Sequence, residues 1–368
     1  MLTRRKFIIS ATSAAGGLAV LQACSSGTHA ETYEEAVRRT WHPDKQDMAD
    51  GSALQRELVR YATLAPSSHN TQCWKFRIEG RAISILPDLS RRCPVVDPDD
   101  HHLFVSLGCA AENLIQAALA NGLKGDSSLD PSAGGVLRVN VEPTKAVVTP
   151  LFQAIPERQC TRAEYDGKHL TMEELDLLEQ AGTGKGVRVM LLTEPATMEN
   201  VLEYVVQGNT AQLNDRAFVD ELKAWIRFNS GEAVRTGDGL YAACSGNPSL
   251  PTWLGRRLFN LFVTPKSEND RYAKQTRSSA GIAVFVADAE DRAHWLEAGR
   301  CYERFALQAA ALGIRNAFLN QPVEVTELRQ QFAAFLGIGG RRPDLVVRFG
   351  RGPKMPQSLR RPLQTVLV

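Results

Sequence analysis

The chain has 368 residues, 43% of them hydrophobic, and a formal net charge of +2 at pH 7, so it can form one large or two medium globular domains with full-sized cores. Its 43 basic and 41 acidic side chains are mixed without a basic stripe, which argues against nucleic acid as a partner. Its seven cysteines form no CxxC pair, so they predict neither a zinc site nor a disulfide framework.

The first residues have the pattern of an export signal. Thr3–Ile8 reads TRRKFI, a twin-arginine signal, and an apolar segment over 8–20 follows it. That segment is too short and too rich in small residues to span a bilayer permanently. Because the twin-arginine route exports folded proteins, usually with a cofactor already bound, the signal favours a redox cofactor.

Two processing sites are possible after this signal. Leu21–Cys24 resembles a lipobox, in which Cys24 would be acylated and become the new N-terminus, although Gln22 is atypical there. Cleavage after Ala30 would instead give a soluble periplasmic protein. Both alternatives predict a periplasmic location, with a lipid anchor in the first case. Removal of the signal leaves 40 basic against 41 acidic residues, a net charge near −1.

The first part of the chain predicts helices and a hairpin. Ser52–Leu64 has apolar residues at helical spacing behind a capping serine, while Trp74–Ile78 and Ala82–Leu86 alternate as paired strands. The other predicted elements are helices over 33–39 and 102–121, a polar loop over 125–135 and a strand over 136–141.

An acidic run, Asp97–Asp100, precedes the long helix, and His101 and His102 follow it. Asp97 as a helix cap, with proline in the first turn and acids near the positive end of the helix dipole, explains this composition. The alternative is a metal site, but no facing ligand pattern accompanies these residues. We therefore predict no metal.

The second part of the chain again mixes helices and strands. Thr171 caps a helix that runs to Ala181, with Glu174 completing a capping box. The other predicted elements are helices over 150–155, 197–229, 294–312 and 324–336, strands over 187–192, 280–286, 314–319 and 345–349, and a tail over 352–368 rich in proline and arginine.

Residues 231–277 differ from their surroundings. They contain glycine and proline clusters, exposed-looking aromatic residues at Trp253, Phe259 and Phe262, and one predicted short helix. An irregular segment of this length in a compact domain usually has a function. It predicts a lid over a pocket, with a surface insertion of no function as the alternative.

Two helices match each other at an offset of 191 residues. LGCAAENLIQAALANGL at 107–123 aligns with AGRCYERFALQAAALGI at 298–314, which pairs Gly108 with Gly299. Alanine-rich helices can resemble each other by chance, but the match favours an internal repeat. It predicts two α+β units packed as an internal pseudo-dimer, with halves over 31–148 and 149–368.

The stretch Ala65–Trp74, APSSHNTQCW, holds the most specific polar chemistry in the chain. It lies between a predicted helix and a predicted strand, and its hydroxyl and amide groups donate and accept hydrogen bonds without bringing charge. Such a loop is suited to contacting a flat, heteroatom-rich ligand. An ordinary polar turn is the alternative, since proline, serine and asparagine are common in turns.

This stretch resembles the motif of the nitroreductase family, usually APSxxNxQPW, and the run over 97–123 is similar to the single-chain, Acg-like branch of that family. The C-terminal FGRGPKMPQSLRRPL fits the same resemblance, which covers essentially the whole mature chain. It implies an α+β nitroreductase-like fold duplicated in one chain, with mixed or antiparallel sheets flanked by helices. It also implies FMN, held where the two halves take the roles of two subunits.

We expect one flavin per chain, bound by both halves, because the first half lacks a full arginine motif and the second lacks a PSSxN loop. Its phosphate would bind to Arg158 and Arg162, spaced i and i+4, because forked guanidinium groups suit phosphate. Cys160 stands where a serine or threonine normally contacts the phosphate, and Cys73 stands where the family usually has proline. The remaining implied flavin contacts are Ser67, Ser68, Asn70, Leu319, Asn320, Gln321 and Arg360 or Arg361.

The implied activity is that of an FMN-dependent oxidoreductase. A donor would pass hydride to the flavin, and a nitro, quinone or enone acceptor would take it in the same pocket by ping-pong turnover. No catalytic side chain is expected, because the flavin carries the chemistry. The alternatives are a flavin-sequestering protein without turnover, its lid closed over the ring, and a structural lipoprotein without flavin. The expected partners are a small-molecule acceptor and an unidentified donor, and the expected state is a monomer.

Overall fold

The computed structural model describes residues 31–42, 51–130 and 134–368. The predicted twin-arginine signal, the lipobox and Cys24 lie outside the described residues. Residues from Thr32 to Val368 belong to one compact unit. The division into halves at residue 148 stays a prediction.

The described residues contain ten strands and fourteen α-helices. The strands are β1 (Trp74–Glu79), β2 (Ala82–Pro87), β3 (Leu123–Asp130), β4 (Val136–Pro143), β5 (Val187–Leu192), β6 (Ile226–Arg227), β7 (Leu240–Tyr241), β8 (Gly281–Ala287), β9 (Arg315–Phe318) and β10 (Pro343–Gly350). The helices are α1 (Tyr33–Trp41), α2 (Gly51–Thr63), α3 (His101–Ala120), α4 (Pro150–Ala154), α5 (Met172–Gly182), α6 (Pro195–Asn214), α7 (Arg216–Trp225), α8 (Ser230–Thr236), α9 (Thr252–Phe262), α10 (Pro265–Arg277), α11 (Arg292–Ala311), α12 (Gln321–Glu324), α13 (Thr326–Phe335) and α14 (Leu363–Val366).

Two four-stranded antiparallel sheets have the same topology. The first has the order β1-β2-β4-β3 and the second the order β5-β8-β10-β9. In each sheet a 20-residue helix, α3 or α11, connects the second strand to the third. The predicted α+β fold with antiparallel sheets flanked by helices is therefore confirmed, and the structure repeats internally.

The two long helices pack directly against each other at two glycines. A Cβ atom on Gly108 would lie 2.0 Å from the carbonyl oxygen of Leu296, and one on Gly299 would lie 2.0 Å from that of Val105. Each contact is the counterpart of the other in the repeat. Glycine is required at both positions because the backbones approach too closely for any side chain.

Side chains predicted as caps bind the first backbone N–H groups of two helices. The Asp97 carboxylate accepts the backbone N–H groups of His102 at 3.0 Å and Leu103 at 2.9 Å, which caps α3 although the helix itself begins at His101. Thr171 and Glu174 form the predicted capping box of α5.

The predicted polar loop over 125–135 was wrong in its first half, which belongs to the edge strand β3. Its inward-facing positions include Gly125 and Ser127, so the strand lacks the apolar alternation that marks a strand in a sequence. Small residues are needed there because a Cβ on Gly125 would lie 3.0 Å from Ile115 of α3.

The irregular segment predicted over 231–277 contains three helices, α8, α9 and α10, rather than one. It belongs to a longer insertion, residues 193–280, which joins β5 to β8 where a two-residue turn joins β1 to β2 in the first sheet. The internal repeat is therefore interrupted at a hairpin. Of the predicted exposed aromatic residues, Trp253 and Phe262 are exposed, but Phe259 is buried.

One helix among the described residues, α3, is long and apolar enough to cross a membrane. Most of it is buried inside the protein, where it packs against α11 and the first sheet. Its apolar character is therefore explained by its central position.

Gly299→Ala is expected to lower the free energy of unfolding by about 3 kcal/mol or more, because the new Cβ meets backbone that cannot move aside locally. Urea denaturation measures the change. Gly231→Ala in α8 is the matched control, since its Cβ would meet only Asn229 Oδ1 at 3.5 Å. The control should lie within about 1 kcal/mol of the parent, in the stabilising direction. Equal stability of both variants would contradict the proposed contact.

Candidate functional site

A cavity of about 190 Å³, here called the inner cavity, lies between segments from both repeats. An adjoining cavity of about 530 Å³, the outer cavity, shares His69, Arg162 and Asn320 with it. The insertion supplies most of the apolar lining of the outer cavity, including Phe228 and Phe259. Ligand pockets in proteins usually measure about 300–1,000 Å³, a range that the inner cavity reaches only together with the outer one.

The loop after α2 enters the inner cavity in a strained conformation. His69, Asn70 and Gln72 all have positive φ angles, of 49°, 52° and 53°. Non-glycine residues adopt such angles rarely, and clusters of them occur at binding sites where the surrounding structure holds them. The loop predicted to bind a ligand is therefore held in a constrained conformation.

Hydrogen bonds from the insertion and the tail hold this loop. The Asn70 amide donates to the carbonyl of Gly239 at 3.0 Å and to that of Leu359 at 3.2 Å. Gln72 donates to the carbonyl of Gly237 at 2.8 Å and accepts from the backbone of Arg361 at 2.8 Å. The amide nitrogen of Asn70, a predicted flavin contact, is thus bound to backbone.

Two of the predicted phosphate-binding arginines line the inner cavity but have protein partners. Arg158 lies 3.2 Å from the Glu303 carboxylate and donates to the carbonyl of Leu64 at 3.1 Å. Arg360 donates to the last carbonyls of α2 and its following turn, those of Thr63, Leu64 and Ala65. Burial lowers the pKa of Arg360 to about 9. Both side chains satisfy the carbonyl end of α2.

Arg162 differs from these two arginines. Its side chain lines both cavities, and it forms no hydrogen bond or ion pair with any described residue. The Ser68 hydroxyl, which also lines the inner cavity, likewise has no partner in the described part of the chain. A half-buried cation without a counter-charge is costly, so Arg162 is the group in this cavity best placed to bind an anion.

A buried arginine that the sequence did not reveal positions this segment. Arg348 of β10 donates to the carbonyls of Thr161 at 3.1 Å and Ala163 at 2.9 Å. Its guanidinium lies 4.1 Å from the centre of the Tyr165 ring, and burial lowers its pKa. The sequence did contain one signal for this role: Arg348 is a charged residue within the otherwise apolar run over 345–349. Such a charge is rarely buried unless it has partners.

The other predicted contacts fall in different places. Ser67, Cys160 and Asn320 line the inner cavity, whereas Gln321 lines only the outer one. Two predicted contacts line neither cavity. Leu319 is fully buried and its backbone N–H is bound to the carbonyl of Val346 at 2.7 Å, while Arg361 donates to the backbone carbonyls of Gln72 and Trp74. The backbone N–H of Leu319 is therefore already used by β10, and its implied flavin contact stays a prediction.

Glu324 is a cavity residue that the sequence reading missed. It lines both cavities, and one carboxylate oxygen accepts from Gln212 at 2.7 Å. Burial raises the pKa of Glu324, and the nearby Asp97 carboxylate acts in the same direction, while His102 and Arg329 act against it. The site thus contains a carboxyl group that keeps its proton to a higher pH than an exposed glutamate does.

Asp97, His101 and His102 are grouped closely enough to bind a metal ion, with ligand atoms within 4.8 Å of one another. Both Asp97 oxygens already accept helix N–H groups, and His101 lies 2.8 Å from the Asp344 carboxylate. Burial lowers the pKa of His101 and raises that of Asp344 to about 7. These contacts explain the cluster as a buried network at the start of α3.

Glu324→Gln should reduce the loss of stability at rising pH. Because the pKa of Glu324 is raised above its ordinary 4.5, the unfolded chain releases this proton first, and the folded state loses stability as the pH rises above that value. Glutamine is neutral throughout and can still accept from Gln212. Urea denaturation at a series of pH values measures the difference, with the exposed Glu327→Gln as control. A parallel pH dependence in all three proteins would refute the prediction.

No family model matches the chain. The chain is 25% identical over 345 residues to proteins provisionally named NAD(P)H nitroreductases in the CDC 1551 and H37Rv strains of Mycobacterium tuberculosis. The match covers 90% of this chain and 94% of each relative.

Solved structures with similarity include a nitroreductase with bound FMN from Bacteroides fragilis, at 14% identity and a TM-score of 0.35 over 56% of this chain and 89% of that one. A provisionally named nitroreductase from Anabaena variabilis has 11% identity and a TM-score of 0.43, over 86% of this chain and 91% of that one. The sequence relatives, which match almost end to end, support the nitroreductase family as the one that this chain resembles.

Proposed function

We propose that the protein is an FMN-dependent oxidoreductase of the nitroreductase type. The observation that carries this proposal is the unpaired Arg162 guanidinium in a cavity that both repeats build. A dianionic phosphate would provide the counter-charge that the described residues do not. The full-length similarity to NAD(P)H nitroreductases supports the same conclusion.

The side chains present fit FMN. Arg162, the Ser68 hydroxyl and Cys160 offer a cation and two weaker donors in the inner cavity, and Ser67, Asn320 and Phe318 add polar and flat apolar surface. Arg158 and Arg360 add positive potential while they hold the carbonyl end of α2. Together the two cavities offer the size range of a cofactor site with room for a second ligand.

Bound FMN would supply hydride and electron transfer to an acceptor such as a nitro compound, quinone or enone. The chain's own residues would bind the phosphate, orient the ring and exclude water. The apolar walls that the insertion gives to the outer cavity suit a flat, apolar acceptor. We infer that a reduced nicotinamide is the donor, since the relatives are named for it.

A second candidate function is flavin binding without turnover. It is favoured by the insertion, whose side chains Phe228, Leu258 and Phe259 enclose the outer cavity. If this insertion acts as a closed lid, donors would not reach a bound flavin. The donor experiment below separates this function from the first.

We also propose export by the twin-arginine route, with the mature protein periplasmic and anchored through a lipid on Cys24. The support is the sequence pattern over 3–24. A lipobox would leave an acylated Cys24 as the first residue, whereas cleavage after Ala30 would leave Glu31. The mass of the mature N-terminal peptide distinguishes the two, and an uncleaved Met1 would contradict both.

Arg162→Ala should weaken FMN binding by about tenfold to a hundredfold, the range expected for loss of one charge-assisted hydrogen-bonding group. The measurement is titration of the flavin-free protein with FMN, followed by flavin fluorescence. Arg188→Ala, which removes an exposed arginine on β5, is the matched control. Arg158→Ala is a poorer test, because it would leave Glu303 buried without its cation and destabilise the fold. Unchanged affinity in Arg162→Ala would show that the phosphate binds elsewhere.

The protein purified after cytosolic expression should be yellow, and anaerobic NADPH should bleach it. A nitroaromatic or quinone should then restore the oxidised visible spectrum, because one pocket serves both half-reactions in ping-pong turnover. Dithionite is the control for reducibility. Bleaching by dithionite but not by NADPH or a quinol analogue would favour flavin binding without turnover, and absence of flavin would contradict both functions.

A further inference from the structure

Helix α9 exposes large apolar side chains to solvent. Trp253, Leu261 and Phe262 have 69%, 70% and 67% of their surface exposed, on a helix of 11 residues. Most large apolar residues of a folded chain are buried, and single exposed ones need no explanation. A group of them on one helix marks an interaction surface.

One side of α9 packs against the rest of the protein. Gly255 and Phe259 are buried, and both line the outer cavity together with Leu258. A Cβ on Gly255 would lie 2.3 Å from the Phe228 ring, so the helix is packed tightly on this side. Trp253 and Leu261 lie on the other side of the helix, next to Arg257, and form an outward-facing surface, whereas the exposed Phe262 ends the side that lines the cavity.

The charged residues of α9 itself have one sign. Arg256 and Arg257 are exposed, and neither forms an ion pair or hydrogen bond with a described residue. No aspartate or glutamate occurs between Asp238 and Glu268 in the sequence. A tryptophan, large aliphatic side chains and unpaired arginines on a surface helix are the composition of helices that lie at a lipid–water interface.

We propose that α9 docks on an anionic lipid surface. The apolar side chains would enter the boundary between headgroups and acyl chains, and the two arginines would bind lipid phosphates. A second copy of this chain is a poorer occupant, because two α9 surfaces brought together would oppose four unpaired arginines. Phe262 is both exposed and part of the outer cavity wall, so docking would bring that cavity next to the bilayer.

The proposal is tested with the full chain carrying Cys24→Ser, so that no acyl chain contributes to binding. Sedimentation compares vesicles of phosphatidylcholine alone with vesicles of phosphatidylcholine and phosphatidylglycerol in equal parts. The protein should bind the anionic vesicles. Arg256→Glu/Arg257→Glu should bind them roughly thirtyfold more weakly or worse, since each basic residue at such a surface contributes about fivefold. Lys185→Glu/Arg188→Glu makes the same charge change at exposed positions elsewhere and should bind as the parent does.

A local readout excludes binding through the N-terminus alone. Brominated acyl chains should quench part of the tryptophan fluorescence, and Trp253→Phe should abolish that quenching while sedimentation persists, because phenylalanine remains apolar. Equal binding by the two charge-reversed proteins would overturn the proposal. So would quenching that Trp253→Phe leaves unchanged, or a protein that binds neither vesicle and instead dimerises through α9.

Discussion

The contact between α3 and α11 is the constraint on which the rest of this structure depends. Two glycines, Gly108 and Gly299, let the helix backbones approach closely. A Cβ atom added at either glycine would lie 2.0 Å from a carbonyl oxygen of the other helix. This contact joins the two sheets along a shared helical centre. It also brings the loop after α2 from one repeat next to the segment around Arg162 from the other, and so creates the inner cavity.

The repeat is symmetric in topology but not in its charges. Glu112 of α3 and its counterpart Glu303 are both buried, but Glu112 pairs with Arg300 and Arg304, whereas Glu303 lies beside Arg158. Burial raises the pKa of Glu303 to about 7 despite this arginine. The described cavity with its unpaired arginine lies on the Glu303 side.

The insertion in the second repeat helps to build the candidate site. It replaces a hairpin turn with residues 193–280, and it contributes backbone carbonyls that hold the strained loop as well as apolar walls to the outer cavity. One surface of α9 serves the cavity and the other remains exposed to solvent. The segment that encloses the proposed site is therefore also the segment proposed to meet lipid.

Sequence patterns predicted most helices and strands, the capping residues Asp97 and Thr171, and the repeat, because local periodicity and caps encode these features. They missed β3, because small residues at two of its inward positions, Gly125 and Ser127, interrupt the apolar alternation. The sequence by itself also determined which stretches carry the candidate site chemistry. Only the tertiary structure decided which arginine is free: Arg158, Arg162 and Arg360 look equivalent in sequence, but the carbonyl end of α2 and Glu303 engage two of them. Partners distant in the chain determine that difference, and no local pattern records it.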